Sequence, residues 1–215
     1  MTNPLLTGPE GLSTIPTMHE DVFAVVLAAG RSTRMKSPLT KVLHPILGKP
    51  LLQYLLDALD QLGVPRSQTL LIGGENLPQL QAHFGHEYPS AFQENPLGTA
   101  HALLSGLPLF HDHTGRLLVL VGDNPYLTAP VLSGLLDAAC TPQNPCTLLS
   151  ARFPETPPPY GRIIRRTPGG EVLSIVEEQE ASEEQKRIRE VNASVYVFHT
   201  QTVLPFLQQI DNQNR

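Results

Sequence analysis

Two near-continuous apolar runs constrain this chain more than any other feature: VFAVVLA at residues 22–28 and RLLVLV at residues 116–121. A strand with one face in water alternates polar and apolar residues. Runs of this kind suit strands buried on both faces of a parallel sheet. Each ends in small or polar residues, Gly30 after the first and Gly122–Asp123 after the second. Helix-prone and strand-prone segments alternate between and beyond them. Pro50 opens a helix over LLQYLLDALDQLG, which Gly63 and Pro65 close. The pattern then predicts a strand at Thr69–Ile72, a short helix at 76–84 and a helix at Leu97–Leu109. A helix near 130–139 and a strand near 146–152 follow. This alternation predicts βαβ units and hence an α/β fold: a Rossmann-like, doubly wound, mostly parallel sheet with helices on both faces. Ligands of such sheets bind beyond the carboxyl ends of the strands, where Gly30 and Asp123 fall.

The texture changes at Pro157. PPPYGRIIRRTPGGEVLSIVEE predicts a C-terminal β-hairpin turning at RTPGG. A helix-prone ASEEQKRIRE, a strand at VNASVYVF and a final helix over 202–210 come next. Residues 1–20, rich in Pro, Thr and Gly and without apolar period, predict a disordered extension. That leaves one domain over 21–215, long enough for a continuous core.

Composition narrows the function. Net charge is −5, from 15 basic and 20 acidic residues, which disfavours a nucleic-acid partner. A local basic pocket for a small anion stays possible. No apolar run approaches the ~20 residues of a membrane span, and no signal peptide is visible, so a cytoplasmic location is expected. The two cysteines, Cys140 and Cys146, match no zinc spacing and form no disulfide framework. The histidines offer no ligand set: HDHTG at 111–115 falls in an expected turn between a helix and a strand.

The segment richest in chemistry is LAAGRSTRM, residues 27–35, followed by TKVLH, residues 40–44. Small residues at a strand end let backbone N–H groups approach phosphate oxygens. Arg34 offers a forked guanidinium and Lys41 a point charge. Neither a Walker pattern nor a dinucleotide fingerprint is present. On these residues alone the loop reads equally as a phosphate site or as a solvated basic turn. Gly-Asp-Asn-Pro at 122–125 likewise reads as an ordinary turn or as a strand-end metal carboxylate.

Further segments decide between these readings. NPLGTAHAL (95–103), LVGDNPYL (120–127), PYGRIIR (159–165) and IVEEQEASEEQKRIREVNAS (175–194) follow in order. Together with LAAGRSTRM and TKVLH they resemble the motif series of the nucleotide-sugar pyrophosphorylases, and the KVLH ending resembles the GlmU-type uridylyltransferase branch. The resemblance runs from about Val22 to the end of the chain. It implies a Mg²⁺-dependent enzyme joining UTP to N-acetylglucosamine 1-phosphate, releasing pyrophosphate and supplying UDP-N-acetylglucosamine for cell-wall synthesis. The alternatives are a relative that takes another nucleotide or sugar phosphate, or a non-catalytic nucleotide-binding relative. By resemblance, Leu27, Ala28, Ala29, Gly30, Gln93, Gly98 and Thr99 bind the nucleotide. Arg34 and Lys41 hold the triphosphate and act in catalysis, and Asp123 holds the metal. Gly161, Glu177 and Asn192 bind the sugar phosphate in the hairpin region.

The chemistry suits these residue types. A sugar phosphate is already a nucleophile, so catalysis is mainly positioning and charge neutralisation. Mg²⁺ takes one or two carboxylates and completes its shell with phosphate and water. Departures from the family pattern are Ser32 for a loop glycine, Thr40 for a proline, Val121 for a tyrosine and Ser194 for a glycine. The family's domain continues through a segment with a second metal-binding Asn, and the GlmU type then adds a β-helix acetyltransferase domain. Neither falls within this sequence, which reads as a piece of a longer chain or as a short relative. If nothing replaces that Asn, weak metal binding and low activity are expected, and no acetyltransferase activity is expected of these residues.

Overall fold

The computed structural model describes residues 19–30, 35–95, 97–138, 140–141 and 143–210. The extension expected over 1–20 lies, up to residue 18, outside the described residues, as do Arg31, Ser32 and Arg34. In chain order the strands are β1 (Val22–Leu27), β2 (Pro45–Ile46), β3 (Lys49–Pro50), β4 (Thr69–Gly73), β5 (Ser90–Phe92), β6 (Arg116–Val121), β7 (Cys146–Arg152), β8 (Arg162–Arg165), β9 (Val172–Val176) and β10 (Glu190–His199). The α-helices are α1 (Leu51–Gln61), α2 (Leu77–Phe84), α3 (Thr99–Gly106), α4 (Ala129–Asp137), α5 (Glu183–Lys186) and α6 (Thr200–Leu207).

The eight-stranded sheet runs β5-β4-β1-β6-β10-β8-β9, with β7 also paired to β10. Its β5-β4-β1-β6 part is parallel. The rest is added antiparallel through β10. The continuous apolar runs have the expected cause. In β1, Val22, Ala24 and Val26 face one core, built with α1, α2 and α4, while Phe23 and Val25 face a second, built with α3 and α6. In β6, Leu118 and Leu120 join the first core and Leu117 and Val119 the second. With both faces covered, no position in these strands tolerates a polar side chain cheaply.

Helix placement follows from handedness. The chain steps outward from β1 to β4 to β5, then returns to add β6 on the other side of β1. Right-handed crossovers put α1 and α2 on one face, and the reversal puts α3 on the other. The switch between β1 and β6 leaves a crevice at their carboxyl ends. Helix α1 buries Leu51, Leu52, Leu55, Leu56, Ala58 and Leu59, the stripe its period predicts. It ends where Gly63 turns left-handed, at φ +72°.

Most predicted elements fall within a residue or two of their expected places. Helix α3 begins at Thr99 rather than Leu97, because Gly98 before it has φ +117° and ψ 179°, outside helical geometry. The short strands β2, β3 and β5 were not expected. Two or three residues carry no readable period. The acidic stretch forms only a one-turn α5, capped reciprocally by Ser182 and Gln185. Among the described residues no helix is long and apolar enough to cross a membrane.

Candidate nucleotidyl-transfer site

Four strands deliver the site to one edge. The register pairs Leu27 with Val121 and with Ile72, and Gly73 with Phe92. The chain therefore leaves β1, β6, β4 and β5 at the same carboxyl edge, through Ala28–Gly30, Gly122–Asp123, Gly74–Asn76 and Gln93–Glu94. Gly122 allows β6 to approach the end of β1 closely. Its N–H donates to Leu27 O at 2.9 Å, and a Cβ there would lie 3.2 Å from the same oxygen.

Lys41 opens a single 3₁₀ turn, Lys41–Leu43, anchored by buried Val42 and Leu43. Its Nζ lies 2.5 Å from Asp123 Oδ2, both side chains being about two-fifths exposed. So the cationic loop after β1 and the carboxylate after β6 meet, as the sequence predicts for Lys41 and Asp123. An exposed pair of this kind adds about 0–1 kcal/mol to stability; its significance is placement. Asp123 offers one carboxylate of hard oxygens beside the cleft mouth, a donor set that suits a Mg²⁺-type ion completed by phosphate and water.

A cleft of about 530 Å³ opens beside this pair, over the ends of β1, β4 and β5. Ala29, Gly30, Lys36, Thr40, Asn76 and Gln93 are among its lining residues. Ala28 precedes the lining residue Ala29: its N–H donates to Ile72 O and its carbonyl accepts from Asn76 Nδ2, at 2.8 Å each. Leu27 ends β1 one residue earlier. Gln93 is buried, with Nε2 3.4 Å from Gly98 O and 3.5 Å from His101 Nδ1. Gly98 and Thr99 are exposed at the start of α3. Of the predicted nucleotide residues, Ala29, Gly30 and Gln93 line the cleft. Leu27 and Ala28 lie just before its lining segment, and Gly98 and Thr99 lie outside the lining, with Gly98 reached by Gln93 Nε2. Arg34 lies outside the described residues.

Gly161, Glu177 and Asn192 also converge, although they come from the start of β8, the end of β9 and β10. Asn192 N–H donates to Gly161 O at 2.8 Å, and a Cβ on Gly161 would stand 2.9 Å from Glu177 Oε1. Buried Asn192 donates from Nδ2 to the Tyr196 hydroxyl at 2.6 Å, and its Oδ1 accepts from Ser194 N–H at 3.0 Å. Ser194 takes φ +57°, a conformation that favours glycine. Strand β10 runs antiparallel to β6, with His199 opposite Arg116 and Tyr196 opposite Val119. Its early residues, Asn192 included, therefore lie toward the edge where β6 delivers Asp123.

Several residues that hold the candidate site together escaped the sequence reading. Arg162 is 1% exposed. It forms an ion pair with Glu178 at 2.5 Å and donates to the carbonyls of Tyr160, Pro158 and Lys186. One guanidinium thus ties together the segments that flank Gly161 and Glu177. A basic residue inside RII was the only signal. Asn76 and Gln79 reach the Lys41 loop from α2; two amides at i and i+3 were legible, their target was not. HDHTG lies toward the opposite, amino edge, where His113 Nε2 sits 2.9 Å from Asp21 O. Among the described residues no group of three or more His, Cys, Asp or Glu side chains is placed to hold a metal.

Comparison with known proteins agrees with this geometry. The bifunctional protein GlmU of Brevibacillus brevis is 40% identical over 193 residues, covering 90% of this chain and 41% of that protein. GlmU of Geobacillus sp. (strain WCH70) is 39% identical over 192 residues, covering 89% and 41%. This chain thus spans about two-fifths of the length of these relatives. Among solved structures, the mannose-1-phosphate geranyltransferase of Thermus thermophilus superposes with a TM-score of 0.70 at 25% identity, over 88% of this chain and 60% of that one. A putative glucose-1-phosphate thymidylyltransferase of Bacillus anthracis shares the fold, with a TM-score of 0.65 at 17% identity over 88% and 76%. The MobA-like NTP transferase domain matches residues 24–195, and the chain belongs to that family.

Proposed function

We propose that this chain transfers the uridylyl group of UTP to N-acetylglucosamine 1-phosphate, forming UDP-N-acetylglucosamine and pyrophosphate. One observation carries the reading: along the sheet order the cleft, the Lys41–Asp123 pair and the Gly161–Glu177–Asn192 trio follow one another as base, phosphates and sugar do in a nucleotide sugar. The motif resemblance supplies the choice of uracil and amino sugar. The 25%-identical structure, itself named for a hexose 1-phosphate, is consistent with a sugar phosphate acceptor.

In this reading a phosphate oxygen of the sugar 1-phosphate attacks the α-phosphorus of UTP. A new P–O bond forms there, the α–β bridging P–O bond breaks, and pyrophosphate leaves with its electron pair. Gln93 reads the uracil edge from a buried position, with Gly98 and Thr99 against the base. Lys41 neutralises charge on the transferring phosphoryl group, and Arg34 shares that work. Asp123 would hold a divalent ion, Mg²⁺ in this proposal, which supplies charge neutralisation between the phosphates. Asn192, Glu177 and the Gly161 backbone orient the acceptor. The chain's groups bind, align and neutralise, and none needs to move a proton. UTP and the sugar phosphate are soluble cytosolic metabolites, so the cytoplasm is the proposed location, and cell-wall precursor supply is the proposed use.

A pyrophosphate-release assay over UTP, CTP, GTP and ATP with several hexose 1-phosphates tests this. Turnover greatest with UTP and N-acetylglucosamine 1-phosphate is expected. Preference for another base or sugar, or UTP binding without turnover, would contradict the assignment.

A further inference from the structure

We infer that Asn76, the N-cap of α2, and Gln79, in its first turn, are positioning residues that hold Lys41 in register with Asp123. The inference rests on the proposed role of that pair. Lys41 belongs to a 3₁₀ turn whose backbone bonds run from Leu43 N–H to Thr40 O and from His44 N–H to Lys41 O. A single such turn does not hold its own shape. Buried Val42 and Leu43 anchor its later residues; the segment that enters it, Pro38–Thr40, is gripped from α2. Gln79 Oε1 accepts from Thr40 N–H at 2.9 Å, and its Nε2 donates to Pro38 O at 3.0 Å. Asn76 Nδ2 donates to Thr40 Oγ1 at 2.9 Å and to Ala28 O at 2.8 Å, while its Oδ1 accepts from Gly74 N–H at 2.9 Å.

Each amide oxygen faces a donor and each amide nitrogen faces acceptors, so both orientations are fixed. The i, i+3 spacing sets the two amides on one face of the helix. Between them they join the end of β1, the segment after β4 and the loop before Lys41. Thr40, the residue they grip, is 6% exposed. Both amides border the cleft, yet their polar atoms are engaged with protein, which makes them positioning residues rather than catalytic ones. Displacing a reacting group by about 1 Å is enough to cost ~10²-fold in rate, so this grip sets how well Lys41 meets the phosphates.

Thr40 also supplies a test. Its φ of −60° and ψ of 144° are values that proline adopts without strain. A proline there fixes φ covalently and needs no acceptor for an N–H. Gln79→Ala is expected to lower kcat by roughly 10–100-fold, with KM for UTP little changed and Tm close to wild type. Adding Thr40→Pro to Gln79→Ala is expected to recover most of kcat, whereas Thr40→Ala in the same background is not. Wild-type kcat in Gln79→Ala, or equal effects of the Pro and Ala replacements in the double variants, would overturn the inference. Amide hydrogen exchange at Thr40 gives a readout that needs no turnover. Faster exchange in Gln79→Ala supports the tether and unchanged exchange refutes it. If the wild-type protein turned over no nucleotide, the functional reading would fail while this exchange result still decided the tether.

Discussion

At the scale of single residues, Asp123 and Gly161 carry the sharpest consequences. Asp123 stands one residue beyond β6, set close to the β1 end by Gly122. Asp123→Asn keeps the shape and removes the charge. Metal-dependent pyrophosphate release is expected to fall by ~10²–10³-fold, and unchanged turnover would remove Asp123 from the mechanism. Gly161 has no room for a methyl group, since a Cβ would press on Ile175 Cγ2 at 2.8 Å and Glu177 Oε1 at 2.9 Å. Gly161→Ala is expected to raise KM for the sugar phosphate several-fold and leave UTP binding as it was. Calorimetric titration of each substrate separately checks this, and a parallel loss for UTP would refute the partition of the site. Lys41 and Asp123 were legible through the motif series they belong to; on the residues alone, each segment also read as an ordinary turn. Asn76, Gln79 and Arg162 were not, because their partners are set by tertiary approach. Asn76 and Thr40 are 36 residues apart, and no local period reports such a meeting.

At the scale of elements, the β8–β9 hairpin is held by the buried Arg162 guanidinium as well as by the buried Ile163. Arg162 is buried but Glu178 is about a third exposed, so removing Arg162 leaves a carboxylate that water reaches in part and costs about 2–3 kcal/mol, between the exposed and fully buried cases. Arg162→Ala is therefore expected to lower unfolding stability by that amount, measured by denaturant titration, with sugar-phosphate affinity falling alongside. A loss under about 1 kcal/mol, the range of exposed pairs, would show that Arg162 is not the hairpin's anchor. Strand β10 carries a second linkage. The side-chain hydrogen bond from Arg165, aided by Ser150, holds the Glu190 carboxyl down from 4.5 to about 2. A carboxylate lowered in the folded state stabilises it fully above the unfolded value and loses that contribution as pH falls. Stability on the order of 2–3 kcal/mol is thus expected to disappear between pH 4.5 and about 2. Glu190→Gln should flatten this acid limb in Tm measured against pH; an unchanged limb would assign the acid loss to other carboxylates. Long elements such as β1, β6 and α1 were readable because burial imposes a period on many residues. Strand β5 was not, having three residues and no period, and α3 was read as starting early because the φ of Gly98 is set by the loop, not by helix propensity.

At the scale of the whole molecule, topology explains how a chain of net charge −5 accommodates the polyanion proposed for it. The reversal of strand order around β1 opens a crevice at the carboxyl edge, and two loops there bring one cation and one carboxylate together. The alternation of buried runs with helical segments made the doubly wound core readable. The antiparallel flank was readable only as a hairpin, because the pairing of β10 with β6, β7 and β8 joins segments distant in sequence. The account stands on the convergence of Lys41 and Asp123 on one triphosphate. A crystal structure with UTP and Mg²⁺ measures that most directly. The account predicts uracil in the cleft beside Gln93, the α-phosphate near Lys41, and a metal ion on Asp123 in place of the direct Lys41 contact. Nucleotide bound elsewhere, or the Lys41–Asp123 pair unchanged with UTP and metal present, would contradict it.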